Sequence, residues 1–199
     1  MHIAAATART GEVTRLLRAA RDGDAQAIDR IVPLVYEDLR RLARRQLGRG
    51  FGPKSVRPTE LVHEAYVKLS KGGAEAASDR SHFLAIAARA MRQVLVEDAR
   101  NRHAAKRGGG WQRATLSGAH WVVDVDVDEL LTLNDALDEL DSRQRQVVEC
   151  RFFGGMEERE IAEVLGITER TVRRDWVKAR AWLYRALAER GSNTALPEM

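Results

Sequence analysis

The sequence has little cysteine and no long apolar run, and both absences restrict the class of protein. Cys150 is the one cysteine among 199 residues, so no internal disulfide can form. No apolar stretch approaches the roughly 18 residues that a membrane-spanning helix needs. The first residues lack the basic flank and hydrophobic region of a secretory signal. These features together favour a cytoplasmic protein.

The chain also lacks a recognisable catalytic or metal-binding arrangement. His63-Glu64 begins like a zinc-protease motif, but Val67 stands where the second histidine ligand would be. Cys150 lies among apolar residues of a predicted helix, which favours a buried structural thiol over a nucleophile. We therefore expect no enzyme activity, no catalytic residue, no bound metal and no cofactor.

Charge is distributed unevenly around a modest net charge of +4. Residues 89–113 contain seven Arg or Lys against two acids, and residues 169–180 contain five against two. Residues 124–141 contain eight acids and no Arg or Lys. Two basic segments separated by an acidic one indicate two anion-binding surfaces on different modules, although solvated helix faces are the alternative.

Helical periodicity dominates, and we predict an all-α fold of two small helical domains joined by a flexible linker. Apolar residues recur every three or four positions from Ile28 to Ala43, and Pro33 should kink or divide that helix. Further helices are predicted from Pro58, near 81–102, 128–140 and 142–153, and in two segments after Gly155. The first domain is predicted at residues 12–107, the linker at 108–127 and the second domain at 128–190. Residues 1–11 and 191–199 are predicted to be disordered tails.

The strongest local pattern predicts a helix-turn-helix in the second domain. Gly166 marks a tight turn, and Thr168 is a suitable N-cap for the helix that follows. That helix buries Val172 and Trp176, and its other side can address phosphates or base edges in a DNA groove. The predicted DNA-binding residues are Arg170, Thr171, Arg173, Arg174 and Lys178. An ordinary helical hairpin with a solvated basic face is the alternative.

A second basic stripe lies on the third helix of the first domain. It consists of Arg89, Arg92, Gln93 and Arg100, opposite an apolar side. Such a stripe can follow a nucleic-acid backbone, and the preceding Ser81, His82 and Phe83 can contact unstacked bases. Taken alone, such a stripe on an amphipathic helix is more often a solvated face than a binding surface.

The order and spacing of several segments resemble the extracytoplasmic-function (ECF) sigma factors, the minimal two-domain branch of the main bacterial sigma factor family. The resemblance extends over residues 13–187. It is carried by residues 34–43 (LVYEDLRRLA), 58–66 (PTELVHEAY), 87–92 (AARAMR), 104–110 (AAKRGGG), 151–156 (RFFGGM), 161–167 (IAEVLGI) and 171–174 (TVRR).

The resemblance implies a fold, partners and residue roles. The partners are core RNA polymerase and promoter DNA, with an anti-sigma factor as a candidate regulator. The second domain is expected to read the minus-thirty-five element. The implied polymerase contacts are Glu60, Leu61, His63 and Glu64. The implied minus-ten contacts are Ser81, His82, Phe83, Arg89, Arg92, Gln93 and Arg100.

The chain departs from the family pattern at two places. Ala90 replaces an Asn that many relatives have in the third helix, and the acids that usually precede the polymerase-binding helix are missing. In some groups of the family that lack these acids, phosphorylation by a serine/threonine kinase switches the sigma factor on. Thr59 is therefore a candidate phosphorylation site with a kinase as partner, against the alternative that it serves only the helix start.

Two other functions remain open from the sequence. A conventional helix-turn-helix regulator would bind duplex DNA alone and have no affinity for core polymerase. A helical enzyme with an added DNA-binding module would need a catalytic arrangement, which the sequence does not display.

Overall fold

The computed structural model describes residues 2–24, 26–50, 56–73, 76–108 and 127–193, and every regular element in these ranges is helical. The predicted all-α fold is confirmed. The eight α-helices of the described ranges are α1 His2–Arg21, α2 Ala27–Gly48, α3 Pro58–Lys68, α4 Arg80–Gly108, α5 Val127–Asp138, α6 Ser142–Val148, α7 Glu158–Leu165 and α8 Glu169–Asn193. No helix in the described ranges combines the length and the apolarity needed to cross a membrane.

Helix α2 continues through Pro33, so the predicted division of this helix is wrong. Proline removes one backbone hydrogen bond but leaves its own φ angle helical. Ile28 and Ile31 before it and Val35 after it are all buried in the same core, which stabilises the helix on both sides of the proline.

The first four helices pack around one apolar core. Its largest fully buried side chains include Leu17 of α1, Leu39 of α2, Leu61 of α3, and Phe83, Met91 and Leu95 of α4. A buried amide also joins two of these helices, since Gln46 Nε2 donates a 2.9 Å hydrogen bond to the carbonyl of Ala88. Helix α4 begins after Asp79, whose carboxylate accepts from the backbone N–H of His82 at 2.9 Å.

The last four helices form a smaller bundle. Asp141 caps α6 by accepting from the backbone N–H of Arg143, and a π-helical turn, Glu149–Phe153, continues α6. Val147 and Ile161 are buried with Val172 in a second, smaller core. This core fixes α7 and α8 against α6.

The two bundles share buried surface. Leu137 of α5, Phe153 of the π-helical turn and Leu183 of α8 belong to the same apolar cluster as Leu95 of α4. The segment at 109–126, most of the predicted linker, lies outside the described residues. Helix α1 begins at His2, within the segment predicted to be a disordered tail, and α8 continues to Asn193. The domain boundaries stay predictions.

Candidate nucleic-acid interface

The turn between α7 and α8 has the local geometry that the sequence predicts. Gly166 has φ 63°, a left-handed conformation that ends α7 and that glycine adopts without strain. The backbone N–H of Ile167 then donates to the carbonyl of Ala162 at 3.0 Å. Thr168 Oγ1 accepts from the backbone N–H of Thr171 at 3.2 Å, which confirms the predicted N-cap.

One side of α8 is a basic, open surface. Arg170, Arg173, Arg174 and Lys178 are exposed, and Thr171 is half-buried. Together with Val177 they line one shallow groove. Val177 is 53% exposed. It is not among the predicted residues, because the prediction included only polar and charged side chains of this face. An exposed valine on such a surface can contact a thymine methyl group.

Ion pairs attach this surface to the preceding helices. Arg173 Nη2 donates to Glu158 Oε2 at 2.8 Å, and Arg151 Nη1 donates to Glu158 Oε1 at 3.0 Å. These hydrogen bonds, that from Arg173 first, lower the pKa of Glu158. Arg173 therefore lies at the edge of the surface, paired with an acid of α7.

Asp175 occupies a core position in α8 and is 1% exposed. Its carboxylate accepts from Arg143 Nε at 2.6 Å and from Arg174 Nε at 3.4 Å. Burial is the largest single influence and acts to raise the pKa of Asp175, but the hydrogen bonds and positive charges of Arg143 and Arg174 together outweigh it, so the pKa is lowered. Trp176 is partly buried and packs against both apolar cores.

The predicted stripe on α4 is only partly exposed. Arg89 and Arg100 are exposed and Gln93 is half-buried, but Arg92 is 5% exposed and does not face solvent. Its guanidinium lies between α5 and the π-helical turn of the second bundle. The prediction that Arg92 belongs to an open basic face is therefore wrong for this structure.

The turn before α4 also departs from the expectation in one residue. Phe83 is 0% exposed and lies in the core, so it cannot stack on an unpaired base in this conformation. Ser81 and His82 are half-buried, and the imidazole Nδ1 of His82 lies 3.3 Å from both the backbone nitrogen and the hydroxyl of Ser78.

Helix α3 presents a polar face at its amino-terminal end. Thr59 and His63 are exposed, and Glu60 and Glu64 are half-buried. Leu61 is 0% exposed and packs in the core, so the prediction that it contacts the polymerase is not supported by its position. Glu60 Oε2 accepts from the backbone N–H of Arg57 at 3.1 Å, which holds this carboxylate at the start of its own helix.

The thiol of Cys150 is buried and has the properties of a structural group. Burial, with the neighbouring Glu149 as a second cause, raises the pKa of the Cys150 thiol to about 12. A thiol with this pKa carries almost no thiolate near neutral pH and is a poor nucleophile. Among the described residues no cluster of side chains could hold a metal ion.

Three comparisons with known proteins give the following matches. The family model described as ECF sigma factor matches residues 10–189. No curated protein matches the sequence. Among solved structures, that of CnrH in complex with the cytosolic domain of CnrY aligns at 22% identity over 89% of this chain and 98% of that chain, with a TM-score of 0.39.

Proposed function

Because the chain belongs to the ECF sigma factor family and so acts in transcription initiation, we propose a role for each of its three polar surfaces. Helix α3 binds core RNA polymerase, α4 with the turn before it binds the minus-ten promoter element, and α8 reads the minus-thirty-five element. The partners are core RNA polymerase and promoter DNA.

The open basic face of α8 is the observation that carries the proposal for promoter reading. Its arginines are exposed at the surface, while Val172 and Ala179 on the other side are fully buried. A helix held in this way can enter a major groove and present guanidinium groups to guanine edges or phosphates. Arg170 and Arg174 are the central candidates, with Arg173 at the edge beside Glu158.

The amino-terminal end of α3 supports the proposal for polymerase binding and its control. Thr59 is exposed in the first turn of α3, and the only acid of that turn, Glu60, already accepts a local backbone hydrogen bond. A phosphate on Thr59 adds a charge of about −1.5 to −2 at a helix end that favours anions. We therefore include in the proposal that a serine/threonine kinase switches on polymerase binding.

Transcription in vitro with purified core polymerase tests the proposed function. The chain, in unmodified or Thr59-phosphorylated form, should start transcripts at a defined promoter only when it is added. A conventional helix-turn-helix regulator would instead bind duplex DNA without joining core polymerase or initiating. Absence of initiation by both forms, together with absence of a complex with core polymerase, would overturn the proposal.

A further inference from the structure

Asp175 is a buried acid on the inner side of α8. Val172, three residues before it, and Ala179, four residues after it, lie on the same side of the helix and are fully buried. An apolar side chain at position 175 would complete that side. Burial of a carboxylate lowers stability unless the charge is paired. The presence of an acid here therefore points to a role beyond packing.

Two arginines from different helices pair with the two oxygens of this carboxylate. Arg143, in the first turn of α6, donates from Nε to Oδ2 at 2.6 Å, and Arg174 donates from Nε to Oδ1 at 3.4 Å. The side chains of Arg143 and Arg174 are 47% and 56% exposed. Each guanidinium thus has one nitrogen at a buried acid and the rest of the group near solvent.

The pairing leaves the terminal nitrogens of Arg174 available for DNA. Arg174 uses Nε for Asp175, and its two Nη nitrogens donate to no residue in the described part of the chain. Arg173 differs, because it uses both Nε and Nη2 for Glu158. Two free Nη nitrogens can form the two parallel hydrogen bonds that a guanine edge accepts in the major groove.

A held arginine has an advantage over a free one in reading a base. An arginine side chain has many rotamers, and ordering it on binding costs conformational entropy. Asp175 belongs to the same helix as Arg174, and its other oxygen is bonded to Arg143 of α6. The carboxylate is therefore anchored, and Arg174 is directed before DNA arrives.

From these contacts we propose that Asp175 is a positioning residue for promoter reading. It holds Arg174 by Nε, with Arg143 bonded to its second oxygen, so that the terminal nitrogens of Arg174 meet a guanine at one base pair. The inference rests on the proposed function of α8. It separates Arg174, which reads a base, from Arg173, which is engaged by an acid of α7.

Asp175→Leu separates positioning from support of the fold. Leucine extends the apolar side of α8, and exchange of a buried ion pair for an apolar residue is often neutral for stability. The arginines that it releases are about half exposed, so water solvates them. Asp138→Leu is the matched control, because Asp138 also pairs with an arginine of α6, Arg145, and lies outside the groove of α8.

The full chain and its variants are each allowed to bind a pool of DNA duplexes of random sequence, and the bound duplexes are sequenced. The unaltered chain and Asp138→Leu should select one sequence, with a guanine at the base pair whose preference disappears in Arg174→Ala. Asp175→Leu should lose about tenfold in preference at that base pair and keep the preferences at the others. Adding Asp175→Leu to Arg174→Ala should change that preference no further, because the two residues act together.

Nuclear magnetic resonance of the unaltered chain tests the pairing without a variant. The Nε–H of Arg174 should exchange with water more slowly than that of Arg180, an exposed arginine of the same helix. On addition of the selected duplex, the resonances of the Arg174 Nη groups should shift while its Nε–H still exchanges slowly.

An undiminished preference for guanine in Asp175→Leu would overturn the proposal. Equal loss of preference at every base pair would also overturn it, since Asp175 would then support only the fold. Exchange of the Arg174 Nε–H as fast as that of Arg180 would do the same, even where Asp175→Leu does not fold. Selection of no sequence by the unaltered chain would instead contradict the proposed role of α8, and the inference with it.

Discussion

Arg173 of α8 and Glu158 of α7 form an ion pair in which two guanidinium nitrogens approach the same carboxylate oxygen, at 2.8 and 3.2 Å. The pair joins the first turn of one helix to the second turn of the next across the helix-turn-helix. It draws the Arg173 guanidinium toward α7, and because it lowers the pKa of Glu158 it makes the stability of this unit depend on pH.

Glu158→Gln should remove a pH-dependent part of the stability of the second bundle. The pKa of Glu158 in the folded chain is lowered from its ordinary 4.5 by the bonds from Arg173 and Arg151. Its contribution is therefore present above the ordinary pKa and is lost as the pH falls through the lowered one. Urea midpoints should differ between the unaltered chain and the variant at about pH 7, and the difference should shrink at about pH 3. Glu163→Gln is the control, and a difference independent of pH would contradict the prediction.

Arg174→Ala should weaken binding of a minus-thirty-five duplex. Loss of a bidentate base contact costs about 1–3 kcal/mol and relaxes preference at one base pair, whereas loss of a phosphate contact lowers affinity for all sequences and reduces the salt slope by about one. Fluorescence titrations at several salt concentrations, with single-base variants of the duplex, distinguish the two. Arg180→Ala, an exposed arginine of α8 outside the groove, is the control. Unchanged affinity and salt slope in Arg174→Ala would remove this residue from the interface.

Phosphorylation of Thr59 should raise affinity for core polymerase and increase transcription from a defined promoter. The phosphate adds negative charge to the exposed first turn of α3, where Glu60 is held by Arg57. Binding and transcription are measured for the unmodified, phosphorylated, Thr59→Glu and Thr59→Ala proteins, with Ser70→Ala as a control at an exposed hydroxyl just beyond the other end of α3. Equal activity of the unmodified, Thr59→Ala and phosphorylated forms would show that no such switch exists.

Leu61→Ala should lower stability and His63→Ala should weaken polymerase binding, because the two side chains lie on opposite sides of α3. Leu61 is fully buried, so its truncation should lower the free energy of unfolding by about 2–5 kcal/mol. His63 is exposed, so its truncation should change stability by less than about 0.5 kcal/mol while weakening polymerase binding. Urea unfolding and a binding assay with core polymerase measure both quantities. A stable Leu61→Ala protein with lost polymerase affinity would contradict the buried position.

Local features of the fold could be predicted from the sequence. The start of α3 at Pro58 and the cap at Thr168 depend on residues within one turn, and both are present. Phe83 and Leu61 show where the predicted site was wrong: both have predicted contact roles, although each is an apolar residue at helical spacing from other apolar residues of its helix. The structure agrees with the periodicity, since burial follows from the spacing along one helix.

The contacts between the bundles could not be predicted. A helical wheel shows which side of α4 is apolar, but not which distant segment covers the polar side. Arg92 is covered by Asn134 and Glu149, at sequence separations of 42 and 57 residues. The separation of basic and acidic segments along the chain was the available signal. That separation indicated two anion-binding modules. In the structure, however, Arg100 of the basic segment 89–113 lies 3.8 Å from Asp135 of the acidic segment 124–141.

The hydrogen bond from Gln46 to the carbonyl of Ala88 has a consequence for promoter geometry. Gln46 is 0% exposed, and Ala88 immediately precedes Arg89. An amide held in this way prevents α4 from sliding along α2, since any displacement would leave a buried polar group without its partner. This buried glutamine of α2 thus fixes the axial position of Arg89 on α4 and, under the proposed function, the place along a promoter strand where that arginine would bind.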